Sequence, residues 1–227
     1  MQIRWYGQSA FLLTGEQHRV FIDPFGDVGS TVGRDDWKWD YPPVEGVEAD
    51  VLLVTHDHLD HNAVEAIGGD PLVLARAGTH ESPLGEVVGI ASEHDPVAGT
   101  ERGPNTIFRF ALDGMTVAHL GDFGQAALRP TQWEALGDVD VLFLPVGGGP
   151  TIAPDAAAEL VREVEPQLVV PMHYRTPAIG FLDPPDAFLE ALGARVERLE
   201  TSEADVEPLL GSREEPVVAL LAPPSAS

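Results

Sequence analysis

The apolar run Val51-Leu52-Leu53-Val54 passes through Thr55 straight into His56-Asp57-His58-Leu59-Asp60-His61. A short apolar run that stops abruptly reads as a buried strand. Ending such a strand in three imidazoles and a carboxylate is unfavourable inside a core, because buried polar groups need partners. The strand must therefore end at an edge where those groups are used together. His56, His58, Asp60 and His61 form the pattern H-x-H-x-D-H. His56 and His58 are two apart and share one side of an extended backbone, while Asp57 between them points away. Neutral imidazole nitrogen and carboxylate oxygen suit borderline cations such as Zn²⁺, Mn²⁺ or Fe²⁺. One contiguous segment can thus feed two neighbouring cations. The chain has no cysteine, which excludes disulfides and thiolate ligands.

Periodicity and turn residues predict strands near 2–6, 10–14, 19–23, 51–55, 72–75, 86–92, 105–111, 115–120, 139–144, 168–172 and 216–221. Helices are expected from Asn62, near 131–136, from Pro154 to Val164 and near 184–192. Residues 24–49 read as irregular, with Gly26, Gly29, Gly33, Pro42 and Pro43 and the run Asp35-Asp36-Trp37-Lys38-Trp39-Asp40-Tyr41. Both halves open with antiparallel strands and then alternate buried strands with helices. That plan implies two packed sheets with helices outside, and reactive residues where strands end in loops.

Two cations want six or more ligands, so others must come from afar. His94 follows a predicted strand, Asp122 follows Leu120-Gly121, and His173 follows Leu168-Val169-Val170-Pro171-Met172. With these, the chain resembles the metallo-β-lactamase-fold superfamily, and within it the compact bacterial branch that includes the ascorbate-phosphate lactonase. The segments that carry the likeness are Trp5-Tyr6-Gly7, Asp23-Pro24-Phe25, Thr55 to His61, His94-Asp95-Pro96, Gly121-Asp122, Pro145-Val146-Gly147-Gly148 and Pro171-Met172-His173-Tyr174. The resemblance implies an α+β fold: a four-layer αβ/βα sandwich of two similar halves, roughly 1–112 and 113–227, in one domain. It implies a first cation on His56, His58 and His94, a second on Asp60, His61 and His173, and Asp122 bridging both. One position departs from the branch, which usually has His after the first Gly; here it is Gln8, whose amide cannot titrate.

A pair of divalent cations, Zn²⁺ first and Mn²⁺ or Fe²⁺ next, predicts a metal-bridging hydroxide that hydrolyses a lactone, ester or phosphodiester. Asp60 and Asp122 are the catalytic candidates. Asp23 and Asp95 are expected to support ligand imidazoles from behind. Arg102, Asn105, Tyr174 and Arg175 are expected to touch a small substrate, with the arginines suited to an anion. The aromatic stretch Trp37 to Tyr41 could cap the site or pack on a sheet face. His18 and His80 read as surface residues, and His119 as a packed strand histidine.

Net charge is −24, with Lys38 the only lysine. That argues against nucleic-acid and anionic-membrane partners, which need clustered cations. No signal peptide or spanning segment is read from the sequence, which points to the cytoplasm. A homo-oligomer stays open. The rival readings are an iron-dependent redox enzyme on the same fold and a non-catalytic metal-binding module.

Overall fold

The computed structural model describes residues 1–29 and 38–224. Gly33, Asp35, Asp36 and Trp37 of the irregular stretch lie outside the described residues. In chain order the strands are β1 (Gln2–Gly7), β2 (Ala10–Thr14), β3 (Arg19–Ile22), β4 (Val47–Glu48), β5 (Val51–Leu53), β6 (Ile67–Gly68), β7 (Leu72–Leu74), β8 (Gly78–Ser82), β9 (Gly85–Glu93), β10 (Pro104–Leu112) and β11 (Met115–His119). Helix α1 (Pro130–Leu136), β12 (Val141–Pro145), α2 (Pro154–Val164), β13 (Leu168–Met172), α3 (Asp186–Leu192), β14 (Arg195–Arg198), β15 (Glu203–Asp205) and β16 (Val217–Leu220) follow.

The first sheet runs β15-β1-β2-β3-β5-β7 and the second β14-β16-β13-β12-β11-β10-β9-β8, with β4 and β6 as a small extra pair. Each large sheet is antiparallel at one end and parallel at the other. The α+β sandwich expected from the sequence is therefore present. The change of sheet falls between β7 and β8, and β15 returns to the first sheet, so sheet membership does not divide at residue 112.

The sheets face each other across one apolar cluster. It takes Ile3, Trp5, Phe11, Val20, Val51 and Leu53 from the first sheet, and Phe108, Phe110, Val117, Phe143 and Val170 from the second. Phe11 meets Phe143 edge-on, with ring centroids 4.7 Å apart. Phe21 and Leu52 point the other way, into a second cluster with Phe25, Trp39, Tyr41, Ile179 and Leu182. β3 and β5 are thus apolar on both faces, which is why Val51-Leu52-Leu53 reads as an unbroken run rather than an alternation. On the second sheet, α2 buries Ala157, Ala158, Leu160, Val161 and Val164. Pro154 opens that helix, Asp155 and Arg162 sit at the ends that suit their charges, and Glu165 closes it in a left-handed conformation.

The helix expected from Asn62 is a single 3₁₀ turn, Val64–Ala66. No side chain caps it, and the backbone is pulled away at once by Ala63 N–H donating to Pro24 O (2.9 Å) and by β6 pairing with β4. One turn too few was available for nucleation to be repaid by propagation. The strand expected over 139–144 begins at Val141, because the backbone of Asp140 bonds to Thr116, Gln167 and Leu168 instead. Among the described residues, no helix is long and apolar enough to cross a membrane.

Candidate metal centre

Parallel pairing brings the ends of β3 and β5 to one edge (Ile22 beside Leu53), and those of β11, β12 and β13 to the matching edge of the second sheet. The turns out of β1, β9 and into β10 lie at the same rim, because β2 starts opposite the end of β3 and β10 starts opposite the end of β9. Every ligand candidate sits on one of these connections. Gly121, Gly124 and Gly147 let the connections touch. A Cβ on Gly121 would stand 2.4 Å from Asn105 Oδ1, one on Gly124 2.4 Å from the His94 carbonyl carbon, and one on Gly147 2.3 Å from His173 O.

Asp122 is the hub. Its Oδ2 lies 3.0 Å from His173 Nε2, 3.2 Å from His94 Nε2, 3.4 Å from His61 Nε2 and 3.9 Å from His56 Nε2. Its Oδ1 accepts from Ser9 Oγ (3.2 Å), and its backbone N–H donates to Asn105 Oδ1 (3.1 Å). Three sets of donor atoms converge: His56, His58 and His94; His56, His61 and Asp122; and Asp60, His61 and His173. The structure thus brings together all seven residues singled out as ligands.

The imidazoles are oriented from behind. His61 Nδ1 meets Asp23 Oδ2 at 2.9 Å, and Asp23 also accepts from the Thr55 backbone N–H and hydroxyl, both at 2.8 Å. His56 Nδ1 meets Thr55 Oγ1 (3.0 Å), and His94 Nδ1 donates to Pro150 O (3.1 Å). Asp23 therefore stands where it was expected. Asp95 does not: both its oxygens accept loop N–H groups, from Val97 and Gly99 on one and Glu101 and Arg102 on the other. It shapes the loop that carries Arg102, as a turn residue before Pro96, and His94 is held from behind by the carbonyl of Pro150.

The charge state of this cluster is unusual. Burial pushes His56 down to about 2 and also lowers His58, with neighbouring imidazoles adding to the effect. Burial works against a charge on His61 too, yet the carboxylates of Asp122, Asp60 and Asp23 hold its proton well above the ordinary histidine range. Burial alone would raise Asp60 and Asp122; the positive charge of His61 pulls Asp60 below its usual value, and His173 and His61 pull Asp122 well below. A divalent cation bound here would replace the proton that the carboxylates hold on His61, since a ligand imidazole must be neutral.

The residues fit divalent cations on a direct observation. His56 Nε2 and His61 Nε2 are buried and have no hydrogen-bond partner, although both point at the Asp122 carboxylate. Orphaned buried nitrogens are destabilising unless something accepts their lone pairs. A nitrogen and oxygen donor set without sulfur suits zinc, manganese or iron.

A cleft of about 680 Å³ opens over the cluster, lined by Gln8, Val28, His58, Leu59, Asp60, His94, Arg102, Asp122, Gly149, Pro150, His173 and Phe181. Of the four expected substrate contacts only Arg102 lines it. Asn105 is buried and spends its amide on Ser92 Oγ, Leu120 O and the Asp122 backbone, so it places Asp122. Tyr174 packs its ring against Trp5 at 5.4 Å, and burial raises its hydroxyl above the ordinary range. Arg175 is exposed and bonds to Leu182 O at 2.5 Å. Of the aromatic stretch, the described Trp39 and Tyr41 pack: both are buried against Phe25, and Tyr41 bonds to Thr176 Oγ1 (2.8 Å). His119 is a packed histidine, bonded to Ser9 O (3.0 Å) and to the Gly121 N–H (3.1 Å). Ser9, Thr55 and Pro150 were not legible as site residues. Two act through hydroxyls common in turns and one through a backbone carbonyl, which no side chain announces.

A second hollow of about 700 Å³ lies at the opposite strand ends, beside Arg195 and Val217, which begin β14 and β16. Its arginines are already paired, Arg162 with Glu159, Arg195 with Glu197 and Arg213 with Asp140.

The chain matches a family model described as a beta-lactamase superfamily domain over residues 2–173. It is similar to a UPF0173 metal-dependent hydrolase of Thermococcus kodakarensis, 31% identical over 232 residues, covering 87% of this chain and 94% of that protein. A UPF0173 metal-dependent hydrolase of Pyrobaculum islandicum is 32% identical over 210 residues, covering 82% and 89%. Among solved structures, a candidate Zn-dependent hydrolase of the metallo-beta-lactamase superfamily from Thermotoga maritima superposes with a TM-score of 0.76 at 30% identity, covering 97% of this chain and 98% of that one.

Proposed function

The chain belongs to the beta-lactamase superfamily, among its UPF0173 metal-dependent hydrolases, and from that premise we propose that it hydrolyses a lactone, ester or phosphodiester bond in a small anionic molecule. The observation that carries the reading is the single oxygen Asp122 Oδ2 set 3.0–3.9 Å from four imidazole nitrogens. His56, His58 and His94 would hold one cation and Asp60, His61 and His173 a second, with Asp122 between them. Bound divalent cations supply Lewis-acid polarisation and bring the pKa of water toward neutrality.

The chain's own residues do the rest. Asp60 faces the cleft and orients the attacking water. The water oxygen bonds to the carbonyl carbon or phosphorus, the bond to the leaving oxygen breaks, and the water's proton ends on that leaving oxygen. Arg102 stands exposed at the cleft wall, where its guanidinium can take a phosphate or carboxylate of the substrate. Val28, Leu59 and Phe181 offer apolar walls for the body of the molecule. A lactone that bears a phosphate combines an anionic group for Arg102 with a body for the apolar walls, and heads the list of substrates.

The test is elemental analysis of the purified protein, joined to a panel of lactones, phosphodiesters and thioesters with zinc, manganese or iron added. Zinc or manganese with turnover of a lactone or phosphodiester supports the reading. Iron with a redox-active spectrum and no hydrolysis overturns it.

A further inference from the structure

Gln8 lies on the tight turn between β1 and β2, and we propose that its side-chain oxygen orients the attacking water, an inference that rests on the hydrolase reading above. Its backbone holds φ 50°, in the left-handed region that a residue with a Cβ enters only when its surroundings enforce it. The surroundings do. Gln8 O accepts from Trp5 Nε1 (3.0 Å) and from the His173 N–H (3.3 Å). Beside it, Gly7 is pressed so close to the Tyr41 ring that a Cβ would meet it at 2.6 Å. A strained turn gripped from three sides delivers a side chain that is 1% exposed and yet lines the cleft.

The amide has one used end and one unused end. Nε2 donates to Asp60 Oδ2 at 3.2 Å. That bond fixes the sense of the amide, since the reverse orientation would set two acceptors face to face. Oε1 is left as a buried acceptor with no partner. Cations would answer the unpartnered nitrogens of His56 and His61; Oε1 needs a donor. The side chain of Gln8 lines the cleft beside Asp60, whereas Arg102 is exposed at the cleft wall. The reactant that brings O–H donors to Gln8 is water. A water that donates one hydrogen to Gln8 Oε1 has its lone pair turned toward the substrate, an orientation effect of the kind that glutamine supplies in other hydrolytic sites. Gln8 neither gains nor loses a proton in the step.

The test compares Gln8→Met, which keeps the volume and removes both polar ends, with Gln8→His, which keeps an acceptor nitrogen without setting a second carboxylate against Asp60. Zinc-loaded wild type, both variants and Asp122→Asn are assayed on bis(4-nitrophenyl) phosphate and 4-nitrophenyl acetate. Zinc affinity is measured by chelator competition, and Tm without metal. The expected result for Gln8→Met, assayed at saturating zinc so that loss of the Asp60 bond does not empty the site, is a kcat lower by about tenfold or more with KM within about twofold. Its metal-free Tm is unchanged or higher, because an unsatisfied buried acceptor has been removed. Gln8→His is expected to recover part of the lost kcat. A Gln8→Met kcat within about twofold of wild type overturns the proposal. So does a kcat that saturating zinc restores in full, which would make Gln8 only a clamp on Asp60, or a Tm lower by several degrees, which would make it structural. Equal activity of wild type and Asp122→Asn sinks the hydrolase reading itself; a fully active Gln8→Met beside an inactive Asp122→Asn sinks only this one.

Discussion

Asp23 Oδ2 and His61 Nδ1 meet at 2.9 Å with no solvent exposure on either side chain. The contact fixes which nitrogen of His61 faces Asp122. It also joins the end of β3 to the connection after β5, so a strand-end carboxylate sets the aim of a ring on the neighbouring strand.

Asp23→Asn keeps the shape but replaces a charged acceptor by a neutral amide. Zinc affinity is expected to fall roughly 10–100-fold, the usual loss when the partner behind a ligand is changed. Chelator competition measures it, and an unchanged affinity would falsify the orienting role.

Asp122→Ala removes the oxygen on which four imidazoles converge. Turnover of any substrate the panel finds should be lost by roughly three orders of magnitude or more, the scale for groups that act as a unit. Circular dichroism should remain that of the wild type, and full activity in a folded variant would refute the bridging role.

Stripping the cations with a chelator should lower Tm, and adding zinc should restore it. At about a hundredfold excess over Kd the linkage contributes about 2.7 kcal/mol. For a chain of this length that corresponds to a shift of about 5–10 °C. A Tm insensitive to chelator and to zinc would argue that the cluster holds no cation.

Arg102→Ala should raise KM for an anionic substrate about tenfold or more, leave kcat nearly unchanged, and weaken the dependence of KM on salt. Arg175→Ala should do neither, since its side chain is bonded to Leu182 O away from the cleft. Steady-state kinetics at two ionic strengths decides between the two arginines.

Gly147→Ala would place a methyl 2.3 Å from His173 O, against backbone that cannot rotate aside. Overpacking of this kind is typically destabilising by about 1–3 kcal/mol, and here the displaced residue carries a ligand, so zinc affinity should fall with Tm. Gly26→Ala, whose nearest neighbour would be 3.8 Å away, is the control and should be neutral.

The cluster of candidate ligands was legible because imidazoles and carboxylates at strand ends have few other uses in combination. His94, Asp122 and His173 were individually ambiguous, and only their order after His56 to His61 made them a set. Residues that work through the backbone were not legible: Pro150 contributes a carbonyl, and Asp95 collects four N–H groups, an arrangement that depends on how the loop closes rather than on any neighbour in sequence. Asn105, Tyr174 and Arg175 have the chemistry of substrate contacts, but burial and local partners had already claimed them. β8, β14 and β15 escaped notice because Gly78–Ser82, Arg195–Arg198 and Glu203–Asp205 are sheet edges, half exposed and mostly polar. Edge strands are held by the ladder of one neighbour and need no apolar alternation.

Gln8, Asp23 and His173 all hold left-handed backbone, at φ 50°, 51° and 51°. Glycine would relax each of them, and asparagine would suit the same conformation better than glutamine or histidine does. A lineage released from selection on the reaction should therefore keep Asp23, which also satisfies the buried Thr55 donors, and drift first at Gln8 and His173. Descendants that keep the sandwich but carry glycine or asparagine there would be the marks of a retired enzyme, readable from their sequences without an assay.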